Sequence, residues 1–255
     1  MPGPIQSVER AAAILRLMAS GSGRLGASEI ADSLGLARGT AHGILRTLQN
    51  VGFVEQHDAT GKYQLGAWLL HLGTSYLDAN ELRSRAINWA DALAARSGEA
   101  VRLGTLLEGK VLVVHHVFRP DDTLQTLDVG SLLPPHASAL GKVLMAYNPS
   151  AVAAFGRGLL EPYTRRTITS ATVFSRALTA VREHGWAAEV EEMTMGEASV
   201  AVPIRGIGGL VVGAMGISGS VERVCDAKRQ PKSALLSYVR DAARAVSRDL
   251  GASHW

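Results

Sequence analysis

The sequence is poor in cysteine, has no long apolar run and has little excess of either charge. Its single cysteine, Cys225, excludes an intramolecular disulfide and a four-cysteine zinc site, and it fits a reducing compartment. No apolar run approaches the roughly 20 residues that a membrane-spanning helix needs. Residues 1–6 lack the charged and apolar regions of a signal peptide. We therefore expect a cytoplasmic protein that has no membrane partner.

Net charge alone does not identify a partner. The 255 residues include 26 Lys/Arg and 23 Asp/Glu, which gives a formal net charge of +3. Residues 1–66 hold six Lys/Arg against five Asp/Glu, so basic residues are not concentrated there. The apolar fraction of 47% is ordinary for a globular protein, and the length is sufficient for two domains with separate cores. Any case for nucleic-acid binding must rest on the arrangement of residues.

The stretch from Ala27 to Thr47 predicts two short helices that meet at a tight turn. The first helix has one apolar face, and Ser28 is its expected N-cap. Gly35 supplies the left-handed conformation that ends a helix at low cost, and the apolar Leu36 can then pack back. An ordinary helical hairpin is the alternative. The tight turn, the small Ala31 and a polar second helix together favour a helix-turn-helix.

The second of these helices has a narrow apolar stripe and a polar outer face. The stripe contains Ala41, Ile44, Leu45 and Leu48. The outer face contains Arg38, Gly39, Thr40, His42, Gly43, Arg46 and Gln49. Small and basic residues without a bulky apolar group suit a helix that enters the major groove of DNA. We expect Arg46 and Thr40 to contact base edges.

A helix before this motif and a hairpin after it predict the winged form of the helix-turn-helix. The first helix is expected from Ser7, its cap, to Ser20. Residues 53–55 and 62–65 are expected as two strands around a turn at 58–61. We expect Ser28, Lys62 and Tyr63 to hold the DNA backbone. A hairpin that only closes a small core is compatible with the same residues.

The chain is predicted to contain two domains and a helical linker. We place the winged helix-turn-helix at 4–66, the linker at 67–80 and the second domain at 81–252. The linker pattern is helical from Ala67 to Ala79, and another helix follows from about Glu81 to Ser97. These helices are expected to act as a semi-rigid connector.

The second domain is predicted to be α/β. Its strands are expected at 100–107, 111–117, 124–129, 186–190, 198–204 and 211–217. Its later helices are expected at about 138–147, 151–156, 174–184 and 231–250. Ser138 is the expected cap of the first of these helices, and Gly185 is expected to end the third.

Several motifs together resemble the IclR family of bacterial transcription regulators. They are SVERAAAILRLMA, LGLARGTAHGILRTLQNVGFVEQHDATGKYQLG, HASALGKVLMAY, RTIT, VREHGWAAEVEE, GEASVAVPI and MGISGSVERV, in the family's order from Ser7 to Val224. Within that family, GTAHGILRTLQNVGFVEQ and VVHHVFRPDD are similar to the regulators of actinobacterial glycerol operons. The resemblance implies a homodimer or a dimer of dimers on palindromic or near-palindromic operator DNA, and a C-terminal GAF-like α/β domain that binds a small effector.

The resemblance also implies a set of ligand-binding residues. Matching the family's motifs gives Ala139, Leu140, Glu189, Ser199, Gly216 and Ser218. Ser199 stands where many members have cysteine, and Gly216 where some have serine, which implies a different ligand. The hydroxyls of Ser199 and Ser218 beside the Glu189 carboxyl could bind a polyol such as glycerol. Glycerol 3-phosphate would need a cation or free N–H groups, for which Lys142, Arg119 and the helix start at Ser138 are candidates.

Enzymatic and metal-binding alternatives have weaker support. His115 and His116 are adjacent in a predicted strand and so point to opposite faces, which weakens a metal site shared with His136. No nucleophile accompanies Glu189 and its acidic neighbours. The glycines at 206–209 precede a strand, so we expect a turn there and not a nucleotide-binding loop. We expect no cofactor, metal or catalytic residue. The alternatives are a small-molecule hydrolase or isomerase, and a sensor whose winged domain binds protein.

Overall fold

A computed structural model of the chain describes residues 3–21, 23–121, 123–155 and 160–252. These residues form two compact units, Met1–Ala79 and Asn80–Trp255. Among the described residues, none of the helices combines the length and apolarity that a membrane crossing requires.

The described residues of the first unit form four helices and a small hairpin. Its elements are α1 (Gln6–Ser20), α2 (Ala27–Leu34), α3 (Arg38–Asn50), β1 (Val54–Gln56), β2 (Tyr63–Leu65) and α4 (Ala67–Ala79). The strands β1 and β2 pair in an antiparallel ladder. The core draws buried side chains from α1, α2, α3 and both strands, namely Ile14, Met18, Ile30, Leu45, Leu48, Val54 and Tyr63. This is the winged helix-turn-helix that the sequence predicts.

The turn between α2 and α3 confirms the predicted role of Gly35. Its φ and ψ of 62° and 32° are left-handed, and the Leu36 N–H donates to the Ala31 carbonyl at 2.9 Å. The predicted caps were wrong. The N-cap of α1 is Ile5 and that of α2 is Gly26, so neither Ser7 nor Ser28 caps its helix.

At the start of α2 the carboxylate of Glu29 takes the place of the predicted serine cap. It accepts a hydrogen bond from the Gly26 N–H at 2.5 Å. Glu29 is the third residue of the helix, and its longer side chain can reach back past the first turn. Ser28 is left exposed on the first turn of α2.

The second unit contains one six-stranded sheet with helices packed on it. Its helices are α5 (Glu81–Ser97), α6 (Ala139–Ala146), α7 (Pro149–Phe155), α8 (Ala171–His184), α9 (Val221–Val224) and α10 (Ser233–Asp249). Its strands are β3 (Ala100–Leu107), β4 (Lys110–Val117), β5 (Leu132–Leu133), β6 (Ala187–Val190), β7 (Glu197–Arg205) and β8 (Val211–Ser220). The strand order is β5-β4-β3-β8-β7-β6, and all neighbours are antiparallel.

The strand predicted at 124–129 was wrong. Side-chain bonds close this segment into a loop instead, because the Gln125 amide bonds both the N–H and the carbonyl of Arg119, at 2.7 and 2.9 Å. Backbone bonding to β4 begins only at Gly130, whose N–H donates to the Val113 carbonyl and whose φ is 88°. The strand β5 is therefore short and lies later in the chain than predicted.

Helix α6 is buried along its whole length and packs against β6, β7 and β8 of the sheet. Ser138 caps it as predicted, since its hydroxyl accepts from the Gly141 N–H at 3.2 Å. Gly141 has to be glycine here, because a Cβ would lie 2.3 Å from the Cα of Pro135. This close approach fixes the N-terminus of α6 against the preceding Pro134-Pro135 segment.

Candidate DNA-binding surface and ligand cavity

Helix α3 presents the predicted polar face to solvent. Its inward residues Ala41 and Leu45 are fully buried. Thr40 is half-buried, and the other predicted contact residues are exposed: Arg38, Gly39, His42, Gly43, Arg46 and Gln49. The core residues thus fix the helix, and the outward residues are available to a partner.

Two glycines on this face have no packing explanation. A Cβ built on Gly39 or Gly43 would meet nothing within 4 Å. Glycine inside a helix costs about 0.5–1 kcal/mol relative to alanine. A flat, low helix surface is what a close approach to a groove needs, and the glycines provide it at a cost in local stability.

Of the two hairpin residues expected to hold the DNA backbone, Lys62 is partly exposed beside α2, whereas Tyr63 is buried. The Lys62 ammonium lies 3.5 Å from the Glu29 carboxylate, and both side chains are about half exposed. The pKa of Glu29 is lowered, chiefly by the Gly26 N–H and then by Lys62. Tyr63 is only 3% exposed, and its backbone pairs with Leu25 at 2.8 and 3.0 Å. Its side chain therefore anchors the wing to the core and has no free surface for a DNA backbone.

A cavity in the second unit lies between α6 and one end of the sheet. Its volume is about 30 Å³. All six residues that the resemblance implies as ligand-binding line it together. The full lining is Arg102, Leu133, Ser138, Ala139, Leu140, Glu189, Met193, Glu197, Ser199, Val200, Ala201, Gly216, Ile217 and Ser218.

Strand register explains why three of the polar side chains meet. Glu189 on β6 pairs with Ser199 on β7, and Ser199 pairs with Ser218 on β8. Residues in register on neighbouring strands point to the same face, so the three side chains form one row across the sheet. The Ser199 hydroxyl donates to the Glu189 carboxylate at 3.1 Å.

Glu189 is the most perturbed titratable group of the cavity. Burial is the main cause that raises its pKa, to about 7, and the nearby Glu192 charge adds to this effect. The Glu192 N–H, which donates to the carboxyl at 3.0 Å, the Ser199 hydroxyl and the Lys142 charge oppose the rise. Near neutral pH the carboxyl is therefore partly protonated and can donate a hydrogen bond as well as accept one.

Arg102 is the cation of this cavity, and the sequence reasoning missed it. Its Nε donates to Asp128 at 2.6 Å and its Nη1 donates to the Ser218 hydroxyl at 2.9 Å. The available signal was a lone charged residue within the apolar strand β3. Lys142 and Arg119, the predicted cations, do not line the cavity. Lys142 is held by Glu192 at 2.5 Å and by a backbone carbonyl, and Arg119 pairs with Asp121.

Gly216 contributes close packing and no polar group to the cavity wall. A Cβ there would lie 2.6 Å from the Val200 carbonyl oxygen and 2.9 Å from the Ala201 Cβ. A side chain at this position would force the neighbouring strand to shift. The glycine therefore sets the depth of the cavity beside the Glu189–Ser199–Ser218 row.

The histidines that could have indicated a metal site make other contacts. The Nδ1 of His116 accepts from the Asp128 N–H at 3.2 Å, and the Nε2 of His136 donates to the Glu161 carbonyl at 2.9 Å. Within the described ranges, no group of three His, Cys, Asp or Glu side chains is arranged to hold a metal ion.

Comparison with known proteins assigns both halves of the chain to one family. Residues 7–58 match the IclR helix-turn-helix domain, and residues 74–248 match the bacterial transcriptional regulator IclR C-terminal domain. The chain is 56% identical over 252 residues to the glycerol operon regulatory protein of Streptomyces coelicolor, with 98% of each chain covered. It is 54% identical over 251 residues to the protein of that name from Streptomyces griseus, again with 98% of each chain covered.

A solved structure shows the same fold. The IclR-type regulator of Alicyclobacillus acidocaldarius superimposes with a TM-score of 0.83 at 27% identity, covering 96% of this chain and 99% of that one. The chain belongs to the IclR family of DNA-binding transcriptional regulators.

Proposed function

We propose that this regulator represses a catabolic operon of the glycerol type and that a small polyol in the cavity releases it from, or rearranges it on, its operator. The names of the two Streptomyces relatives support the operon class. The observation that carries the effector is the in-register row of Glu189, Ser199 and Ser218 at the cavity wall. Because a chromosomal operator lies in the cytoplasm, this function places the protein there.

The chemistry of the cavity favours an uncharged polyol over a phosphorylated one. Its hydroxyls and partly protonated carboxyl can each donate and accept, as the hydroxyls of a polyol require. Its cation, Arg102, is already paired with Asp128, while the carboxyls of Glu189 and Glu197 also line the wall. A phosphate dianion would meet two carboxyls against one neutralised guanidinium.

On DNA, we propose that the exposed face of α3 enters the major groove. Arg46 and Thr40 contact base edges, with Arg38, Gly39, His42, Gly43 and Gln49 beside them. Ser28 and Lys62 hold the backbone. This face carries only two arginines, so useful affinity requires duplication in a homodimer or a dimer of dimers on a palindromic or near-palindromic operator. The effector acts by favouring one arrangement of the oligomer over another.

The test is a footprint of the full-length protein over the DNA upstream of its own gene, followed by release assays. We expect a protected, nearly palindromic site whose affinity falls steeply with salt, because phosphate contacts release counterions. We expect glycerol, added to the complex, to weaken or rearrange it more than glycerol 3-phosphate does at equal concentration. Protection that is insensitive to both compounds would remove the proposed effector but leave the DNA-binding assignment intact.

A further inference from the structure

A second pocket in the C-terminal unit collects basic side chains around an open concavity. It has a volume of about 330 Å³ and shares none of its described lining residues with the ligand cavity. Its lining comes from the end of α8, from β7 and from α10. It consists of His184, Gly185, Val202, Pro203, Arg205, Arg240 and Arg244, with no acidic residue among these. We call this the arginine pocket.

Neutral groups hold two of its guanidinium groups in place. Arg205 donates through Nη1 to the Gly209 carbonyl at 2.9 Å, and its Cζ lies 4.8 Å from the centre of the Tyr147 ring. Arg240 donates through Nη2 to the His184 carbonyl at 3.0 Å. A guanidinium has five N–H donors, and each of these bonds uses one. Both groups are thus oriented without being neutralised.

The absence of a described carboxylate beside Arg205 and Arg240 distinguishes these two residues from other arginines in the same unit. Arg102 and Arg223 are each paired with a carboxylate, at 2.6 and 2.7 Å. Among the residues with described positions, no carboxylate oxygen lies within 4.0 Å of Arg205 or Arg240, although both arginines are half-buried. A charge withdrawn from water is costly unless it is paired. An anion from solution would supply the pairing.

The positions of two arginines along α10 add to the local excess of positive charge. Arg240 and Arg244 stand at i and i+4, where like charges destabilise a helix. The carbonyl end of α8 opposes anion binding, since a helix C-terminus carries about half a negative charge. The guanidinium groups of Arg205 and Arg240 together exceed that charge about fourfold, and Arg240 already covers the end of α8 by bonding the His184 carbonyl. The local field therefore favours an anion.

We propose that the arginine pocket binds the phosphate group of a small phosphorylated metabolite. Guanidinium forks match the geometry of phosphate oxygens, and several cations favour a dianion over a single carboxylate. The three arginines line a concavity between α8, β7 and α10, which fits a compact ligand better than a nucleic-acid backbone. The site is independent of the polyol cavity and of the proposed operon.

The experiment is a titration of the full-length protein with inorganic phosphate at constant ionic strength, by calorimetry and phosphorus NMR. The test variant is Arg244→Gln, because Arg244 is exposed and its replacement leaves the core intact. We expect it to weaken phosphate binding by at least about tenfold, since one charge-assisted contact is lost. The matched control is Arg176→Gln, an exposed arginine on α8 outside the pocket, which should stay within about twofold of the parent.

A second variant separates charge from geometry and guards against misfolding. Arg240→Lys keeps the charge but loses the fork, so we expect roughly threefold to tenfold weaker binding with an unchanged circular dichroism spectrum. The proposal is overturned if the parent shows no saturable phosphate binding, or if Arg176→Gln loses as much affinity as Arg244→Gln. Displacement of bound phosphate by duplex DNA in the parent, with the displacing affinity lowered by Arg244→Gln, would assign the pocket to a polyanion and reject the small-ligand form.

Discussion

Replacing Glu189 with glutamine should change how the stability of the protein depends on pH. In the folded chain burial raises the pKa of Glu189 to about 7, whereas its ordinary value is 4.5. The folded state therefore holds the proton more tightly than the unfolded state. The stabilisation is fully present below about pH 4.5 and is lost as the pH rises to about 7, above which the loss is constant. Glutamine cannot ionise and escapes this loss.

The size of the change in stability follows from the difference between the folded and ordinary pKa values of Glu189. A shift of this extent corresponds to about 3 kcal/mol at 1.36 kcal/mol per pKa unit. Glutamine keeps only one acceptor oxygen for the two donors, the Glu192 N–H and the Ser199 hydroxyl. That loss costs about 1 kcal/mol, but it applies at every pH. The stability of Glu189→Gln relative to the parent should thus rise by about 2–3 kcal/mol between roughly pH 5 and pH 8.

The assay is urea denaturation of the full-length parent and variant at both pH values, followed by circular dichroism and tryptophan fluorescence. The matched control is Glu197→Gln, which removes an exposed carboxylate from the wall of the same cavity. Its relative stability should not change with pH beyond a few tenths of a kcal/mol, because water already solvates that group. If the difference between Glu189→Gln and the parent is equal at both pH values, burial does not govern the protonation of Glu189.

The remaining predictions concern the DNA face and the cavity. Arg46→Ala should weaken operator binding by about 1–3 kcal/mol in a gel-shift titration and leave the unfolding midpoint unchanged, whereas Arg176→Ala should bind like the parent; unchanged affinity of Arg46→Ala would remove it from the base contacts. Gly43→Ala should stabilise the N-terminal unit by up to about 1 kcal/mol and yet weaken operator binding, because its methyl meets nothing in the protein but occupies the groove-facing surface; gains in both would refute the close approach. Ser199→Leu should bind operator normally and fail to respond to effector, and a normal response would place the effector elsewhere.

Regular periodicity made the helices predictable, and the linker region shows why. Helices α4 and α5 begin and end where the sequence places them, since Asn80 caps α5 through its side chain and Gly98 ends it at a φ of 69°. These are local signals, carried by residues within one turn of the boundary. The caps predicted at Ser7 and Ser28 were wrong, and at α2 the reason is equally local: the Glu29 carboxylate bonds the Gly26 N–H, and the helix begins at Ala27, before Ser28.

Long-range pairing was less predictable than local structure. The sequence of 124–129 is compatible with a strand, whereas bonds to Arg119, Arg102 and His116 hold the segment as a loop. Tyr63 is a polar aromatic residue on a wing, and its burial depends on pairing with Leu25, nearly 40 residues earlier. The cavity residues were located through family motifs. Arg102 was missed because its role depends on Asp128 and Ser218, which lie far away in sequence.

The places where this chain departs from local rules of stability coincide with its candidate sites. Gly43 weakens the helix that carries it, and it lies on the surface proposed for DNA. The Glu189 carboxyl is buried, which raises its pKa and disfavours its charged form, and it lies in the proposed polyol cavity. Arg205 and Arg240 are half-buried, no described carboxylate pairs with either of them, and both line the arginine pocket. In each case a binding partner would offset the local penalty. The DNA groove would contact the glycine surface, a ligand hydroxyl would bond the buried carboxyl, and an anion would pair with the arginines. If these penalties were only packing accidents, Gly43→Ala and Glu189→Gln would improve stability without reducing any binding.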